Sequence, residues 1–300
     1  MRTAIFVVIS SINRGESVNF GGLSQEDALL EKARFVVIPV PYDLTTSYQA
    51  GSRRGPAAIM EASTQMELYD EELDRETYLS GIHTAPALEV SAGNPRDMMD
   101  TVRRHVSQVL DWGKIPVVLG GEHSISFGAV QAMKDRYPGI SVLHLDAHAD
   151  MRDTYQGTPY SHACVSRRIC EIAPVVPVGI RSMSAEEAAF LKEKEISCYG
   201  PETIRKKPDW MERVADALTE DVYLTVDLDV FDPAIMAATG TPEPDGLTWR
   251  DVTALVREVS RHRAIRGFDV VELCPIPGMV APDFMAAKLT YRIMGYLAGP

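Results

Sequence analysis

Six short runs of almost unbroken aliphatic residues most constrain what this chain can fold into. They are FVVIPV (35–40), IPVVLG (115–120), ISVLHLDA (140–147), VVPVGI (175–180), VYLTVDLD (222–229) and IRGFDVVEL (265–273). A strand with one wet face alternates apolar and polar residues, whereas a strand apolar throughout is covered on both faces. Helical patterns fall between the runs, near 56–71, 95–111, 124–136, 184–194, 202–219, 248–262 and 281–297. Strands alternating with helices connect in parallel. The expected architecture is α/β: one three-layer α/β/α domain around a mainly parallel sheet.

No Gly/Ser/Pro-rich linker, low-complexity tract or internal repeat interrupts this alternation. The densest Pro/Gly stretch, GTPEPDGLTW (240–249), lies between a strand and a helix and reads as a long loop. Residues 35–300 are therefore expected to form a single catalytic domain, preceded by an N-terminal arm at 1–34. The apolar run Ala4–Ile9 is far shorter than the ~20 residues of a membrane span. It is read as a strand or part of the arm, without a cleavage pattern after it.

Hydrophobic content of 45 % with 24 % charged residues is ordinary for a soluble globular protein. A formal charge of −12 argues against a nucleic-acid partner and is compatible with a small cationic substrate. Cys164, Cys170, Cys198 and Cys274 show no paired spacing, which fits reduced cytoplasmic thiols. No membrane association is expected.

Ligands of open parallel sheets bind beyond the carboxyl ends of the strands, where the polar clusters of this chain fall. GGEHS (120–124) lacks the spacing of a nucleotide-binding glycine loop; its glycines allow a tight turn that presents His123. In DAHAD, Asp146, His148 and Asp150 stand at alternate positions and so point one way from an extended backbone. Asp227 and Asp229 repeat that geometry, with no Lys or Arg nearby in sequence. Carboxylates gathered at the ends of buried strands are costly without a positive partner. Two imidazoles and four carboxylates without a thiolate suit a pair of divalent ions better than a structural zinc, with Mn²⁺ the best match by ligand type and Ni, Co, Zn or Fe open by availability. His144 shares the parity of Asp146 one step deeper and is read as a core histidine or one supporting a ligand. His162, in PYSHA, is a candidate acid/base group.

Taken together and in order, GGEHS, DAHAD, YSH, DLDVFDPA, GTPEPDGL and VVEL resemble the ureohydrolase family of arginases and agmatinases, as does PYDLTTSYQAGSRRGPAAI at 41–59. The resemblance implies an arginase-like sheet of about eight strands, two Mn²⁺ ions per chain and a homo-trimer or homo-hexamer. It implies one ion on His123, Asp146, Asp150 and Asp227, and a second on Asp146, His148, Asp227 and Asp229. The implied reaction is attack of a hydroxide held between the ions on a guanidinium carbon, with Asp150 relaying its proton, His162 assisting the leaving amine and Glu272 pairing with the guanidinium.

Met151-Arg152-Asp153 stands where arginases carry an Asn that helps bind an α-carboxylate, so the chain looks like the agmatinase branch, converting agmatine to putrescine and urea. Glu122, Asp245 and Cys274 depart from the common pattern. Asp245 and Cys274 sit in or beside the expected substrate loops, and Asp245 and Arg152 are candidate substrate contacts. These departures keep aminopropylagmatine or guanidinobutyrate as alternatives, with arginine behind them. Arg152 also keeps formiminoglutamate open, since a guanidinium would welcome its carboxylate. A non-catalytic ligand-binding homologue would be expected to lose ligands, and all six are filled. The related single-zinc deacetylases fit a two-metal set poorly.

Overall fold

The computed structural model describes residues 18–299. The expected strand or arm at Ala4–Ile9 lies outside the described residues. Nine strands run in chain order: β1 Phe35–Val40, β2 Tyr69–Asp70, β3 Arg75–Glu76, β4 Ile82–Thr84, β5 Ile115–Gly120, β6 Ser141–Leu145, β7 Val175–Val178, β8 Asp221–Asp227 and β9 Ala264–Val271. The helices are α1 Gly55–Ser63, α2 Pro95–Asp111, α3 Ser126–Arg136, α4 Val165–Cys170, α5 Ala185–Glu193, α6 Pro201–Lys206, α7 Trp210–Ala217, α8 Trp249–His262 and α9 Ala281–Leu297. Seven strands form one sheet in the order β4-β1-β5-β9-β8-β6-β7, and every pairing is parallel. Among the described residues this sheet of seven matches the mainly parallel sheet of about eight strands implied by the resemblance. β2 and β3 make a separate antiparallel hairpin.

Both faces of the sheet are covered, as the unbroken apolar runs require. In β1, Phe35 and Val37 pack into one core, and Val36, Ile38 and Val40 into the other. The first core is closed by α1, α7, α8 and α9, the last two through Leu255, Val259, Leu289 and Ile293. The second is closed by α2, α3, α4 and α5, with Val102, Val106, Val130 and Leu191. In α8 the buried residues Val252, Leu255, Val256 and Val259 fall on one stripe, because 3.6 residues per turn bring them to one face.

Four elements differ from expectation: the helix read near 56–71 ends at Ser63, with β2 taking Tyr69–Asp70, and three others differ for local reasons. The helical pattern at 202–219 divides into α6 and α7. Pro208 forces Lys207 into an extended conformation, with φ −120° and ψ 98°. The edge strand β4, Ile-His-Thr, is three residues long and too polar to stand out. α4 is six residues, short of a periodic signal. Among the described residues no helix is long and apolar enough to cross a membrane.

Candidate metal centre and active-site cavity

The segments GGEHS, VVEL, DLDVFD and DAHAD follow β5, β9, β8 and β6, which are four neighbouring strands of the sheet. Their register sets the polar residues side by side. Leu145 pairs with Val226, so Asp146 and Asp227 leave the sheet together. Asp227 pairs with Val271, which places Glu272 one step beyond. The Glu272 backbone N–H donates to Gly121 O at 2.7 Å, joining the β9 and β5 ends. Gly121 has no substitute here, because a Cβ would lie 2.0 Å from the Tyr42 carbonyl oxygen.

His123 Nδ1 lies 3.1 Å from Asp146 Oδ2, 3.3 Å from Asp227 Oδ2 and 3.4 Å from Asp150 Oδ2. It is buried and makes no hydrogen bond. The other ring nitrogen is committed: Nε2 is 2.9 Å from Thr225 Oγ1, whose own proton goes to Asp269 Oδ1 at 2.5 Å. The Thr225 oxygen thus accepts from Nε2–H, leaving a lone pair on Nδ1 aimed at three acceptor oxygens. A proton on Nδ1 or a cation placed among them would make that arrangement favourable. A second group faces it across Asp146. His148 Nδ1 is 2.9 Å from Asp229 Oδ2 and 3.5 Å from Asp146 Oδ1. Nitrogen and oxygen donors without sulfur suit divalent cations of the manganese type.

The electrostatics tell the same story. Burial and the charges of Asp229 and Asp146 push the Asp227 carboxyl well above its ordinary range, and burial with Asp146 raises Asp229. Burial also acts on Asp146, but His123, His144 and His148 outweigh it and hold that carboxyl low. Burial lowers the His148 imidazole, while Asp146 and Asp229 more than reverse this and push it up to about 12. The cluster therefore gathers protons to offset its own negative charge, a task that a bound cation would also perform.

His144 supports this group from behind. Its Nε2 is 2.8 Å from Asp146 Oδ2, and Ser166 Oγ is 3.1 Å from its Nδ1. Asp150 and Glu272 are both held in the left-handed region, at φ 52° and 64°. Such conformations cost energy in a non-glycine residue and concentrate at functional sites. Glu272 Oε1 accepts the His123 backbone N–H at 2.6 Å, and burial with the nearby charge of Glu122 raises its carboxyl well above the ordinary range.

A cavity of about 250 Å³ opens onto this floor, lined by His148, Asp150, Asp227, Asp229 and Glu272 below and by Ser47, Gln49, Arg152, Tyr155, His162 and Glu187 around the sides. The His162 ring meets Tyr155 edge-on at 5.9 Å, and Ser47 Oγ lies 3.1 Å from its Nε2. Arg152 reaches the cavity, but its guanidinium stacks 5.2 Å above Tyr155 and its Nε lies 3.9 Å from Glu187 Oε2. Asp245 is not brought to the cavity. It points outward into a bidentate pair with Arg205 at 2.7 and 2.8 Å, a surface ion pair away from the cavity lining. Cys274 is buried, with its thiol directed to the Ala50 carbonyl.

Several contributors went unnoticed in the sequence. Glu187 stands three residues after Ser184, a spacing that marks a helix start, and it does close a capping box. The same carboxylate also accepts the Met151 N–H at 2.9 Å and lines the cavity. Arg181 donates to the carbonyls of Asp229, Glu243 and Pro244 at 2.8–2.9 Å, fastening the 240s loop beside the centre. Nothing in its local sequence distinguishes that arginine.

Comparison with known proteins agrees with the geometry. Residues 33–295 match the model of the arginase family. The chain is 40 % identical over 272 residues to the N(1)-aminopropylagmatine ureohydrolase of Synechocystis, covering 88 % of this chain and 89 % of that one. It is 37 % identical over 254 residues to the agmatinase of Bacillus anthracis, covering 82 % and 85 %. The agmatine ureohydrolase structure of Thermoplasma volcanium superposes with a TM-score of 0.85 at 34 % identity, covering 94 % of each chain. The family match and these relatives make it a hydrolase acting on C–N bonds. The chain belongs to the arginase family.

Proposed function

We propose that the protein hydrolyses a cationic guanidino-amine to urea and the free amine, with agmatine giving putrescine as the leading reaction. The observation that carries this reading is the lone pair of His123 Nδ1 among three carboxylates, beside Glu272, in a cavity whose Arg152 is already shared with Glu187. An α-carboxylate on the substrate would meet Glu187 at the wall and an Arg152 already engaged by it. A distal ammonium would be welcomed there.

His123, Asp146, Asp150 and Asp227 would hold one divalent ion, and Asp146, His148, Asp227 and Asp229 a second, with Mn²⁺ the assigned metal. When bound, such a pair lowers the pKa of a water and supplies a nucleophile at neutral pH. Glu272 receives the planar guanidinium and sets its carbon toward the floor of the cavity. Oxygen adds to that carbon, the bond to the substituted nitrogen breaks, and the leaving amine takes a proton. Asp150 is placed to accept a proton at the floor, and His162 to hand one to the amine near the cavity wall. We assign a homo-trimer or homo-hexamer and a cytoplasmic setting, the latter supported by four free cysteines.

N(1)-aminopropylagmatine is the second reading, because a relative at 40 % identity bears that activity in its name. Urea release over a panel of guanidino compounds with Mn²⁺ tests both. We expect kcat/KM for agmatine or its aminopropyl derivative to exceed that for arginine and guanidinobutyrate at least ~10-fold, about 1.4 kcal/mol of discrimination. Preference for a carboxylate-bearing substrate, or no urea from any compound, would overturn the reading. His162→Ala should keep its metal while turnover falls about 100-fold.

A further inference from the structure

His162 is gripped by hydroxyls at both ring nitrogens, and one grip leads back to a buried carboxylate. Ser47 Oγ lies 3.1 Å from Nε2 on the cavity side. Ser161 Oγ lies 3.2 Å and Thr45 Oγ1 3.5 Å from Nδ1. A threonine hydroxyl has one proton to give, and Thr45 gives it to Glu122 Oε1 at 2.6 Å. Glu122 is fully buried; its Oε2 accepts the Thr45 backbone N–H at 2.6 Å, and Ser124 Oγ donates to Oε1. Thr45 Oγ1 consequently presents only lone pairs to His162, whose backbone N–H it accepts at 3.1 Å.

We infer that Glu122, acting through Thr45, is a positioning residue that keeps the His162 proton on Nδ1 and turns a basic Nε2 toward the cavity. The carboxylate seats Thr45 through both backbone and hydroxyl, so Thr45 cannot rotate to donate to the imidazole instead. Ser161 Oγ can accept as readily as donate, so it is the acceptor-only Thr45 Oγ1 that tips the neutral ring toward carrying its proton on Nδ1. Nε2 is then free to accept from Ser47 until a substrate amine arrives. A side chain one methylene shorter than Glu122 would have to give up part of this grip. The inference rests on the proposed reaction only in assigning His162 to proton transfer.

The test combines ring ¹⁵N NMR of histidine-labelled, Zn²⁺-loaded protein with kinetics of the Mn²⁺ enzyme. In the wild type, His162 should show a protonated Nδ1 and a bare Nε2. A ring protonated on Nε2 alone would overturn the inference without any variant. Thr45→Val removes the hydroxyl but spares the backbone bond to Glu122. It should mix the tautomers and lower kcat at least ~10-fold, with KM and metal content held within about twofold. Thr45→Ser should restore both signals and turnover. Unchanged ring signals and kcat in Thr45→Val would reject the relay, as would loss of kcat that Thr45→Ser cannot rescue. Should the wild type show the Nδ1–H tautomer yet release no urea from any guanidino compound, the proposed reaction fails while the positioning stands.

Discussion

Asp146 is one fully buried carboxylate with three imidazoles around it. Its oxygens face both His123 and His148, so its removal strips both halves of the centre at once. Asp146→Ala should therefore fall from two bound ions per chain to fewer than one by elemental analysis, and Asp227→Ala should behave alike. Two retained ions in either variant would reject the bridging assignment. Glu272 is different, since it touches the His123 backbone and lies outside the ligand set. Glu272→Gln should keep its metal yet lose about 10- to 100-fold in kcat/KM, because a neutral amide forfeits the charge-assisted pair.

At the scale of elements, the hairpin β2–β3 is tied to α9 through one arginine. Arg292 is almost fully buried and holds Asp70 at 2.5 Å and Glu71 at 2.7 Å, and also pairs with Glu72. Breaking one side of such a pair leaves a buried charge alone, so Arg292→Met should cost about 3–5 kcal/mol in urea denaturation. The Glu71 carboxyl is held below its ordinary 4.5, first by a backbone hydrogen bond and further by Arg292 and Lys288 against the cost of burial. A depressed carboxylate stabilises the fold above its unfolded value. That contribution should fade as pH falls below about 4.5 through the folded value, and acid titration of unfolding measures it. Helix α8 depends instead on apolar burial. Leu255→Ala should destabilise by about 2–5 kcal/mol without altering metal affinity.

For the molecule as a whole, the centre joins the ends of four neighbouring strands, and its buried carboxylates repel one another. Metal that binds only the folded chain adds stability by mass action, about 2.7 kcal/mol at a hundredfold excess over Kd. Mn²⁺ should accordingly raise Tm by about 5 °C or more, and a chelator should return it to the starting value. Asp146→Ala should show no such shift. A wild-type Tm indifferent to Mn²⁺ would speak against a metal centre in this cluster.

How much was legible in advance varied with the range of the interaction responsible. The strands at 35–40 and 115–120 and the helices at 95–111 and 281–297 read directly, because aliphatic runs and helical periodicity are local signals. The polar residues that meet at the strand ends were equally visible, since alternate carboxylates at the end of an apolar run pose an electrostatic problem wherever the strand lies. The sequence by itself therefore determined the layered α/β class and the chemical character of the strand ends. Tertiary structure alone decided which ends meet. β5, β9, β8 and β6 are neighbours only through crossovers, and register alone sets Asp227 beside Glu272. It also sent Asp245 outward to Arg205, drew Glu187 from a helix cap into the cavity wall, and linked Glu122 to His162 through Thr45. These contacts join residues 36 to 117 positions apart or turn on a side chain's direction, and no local pattern encodes either.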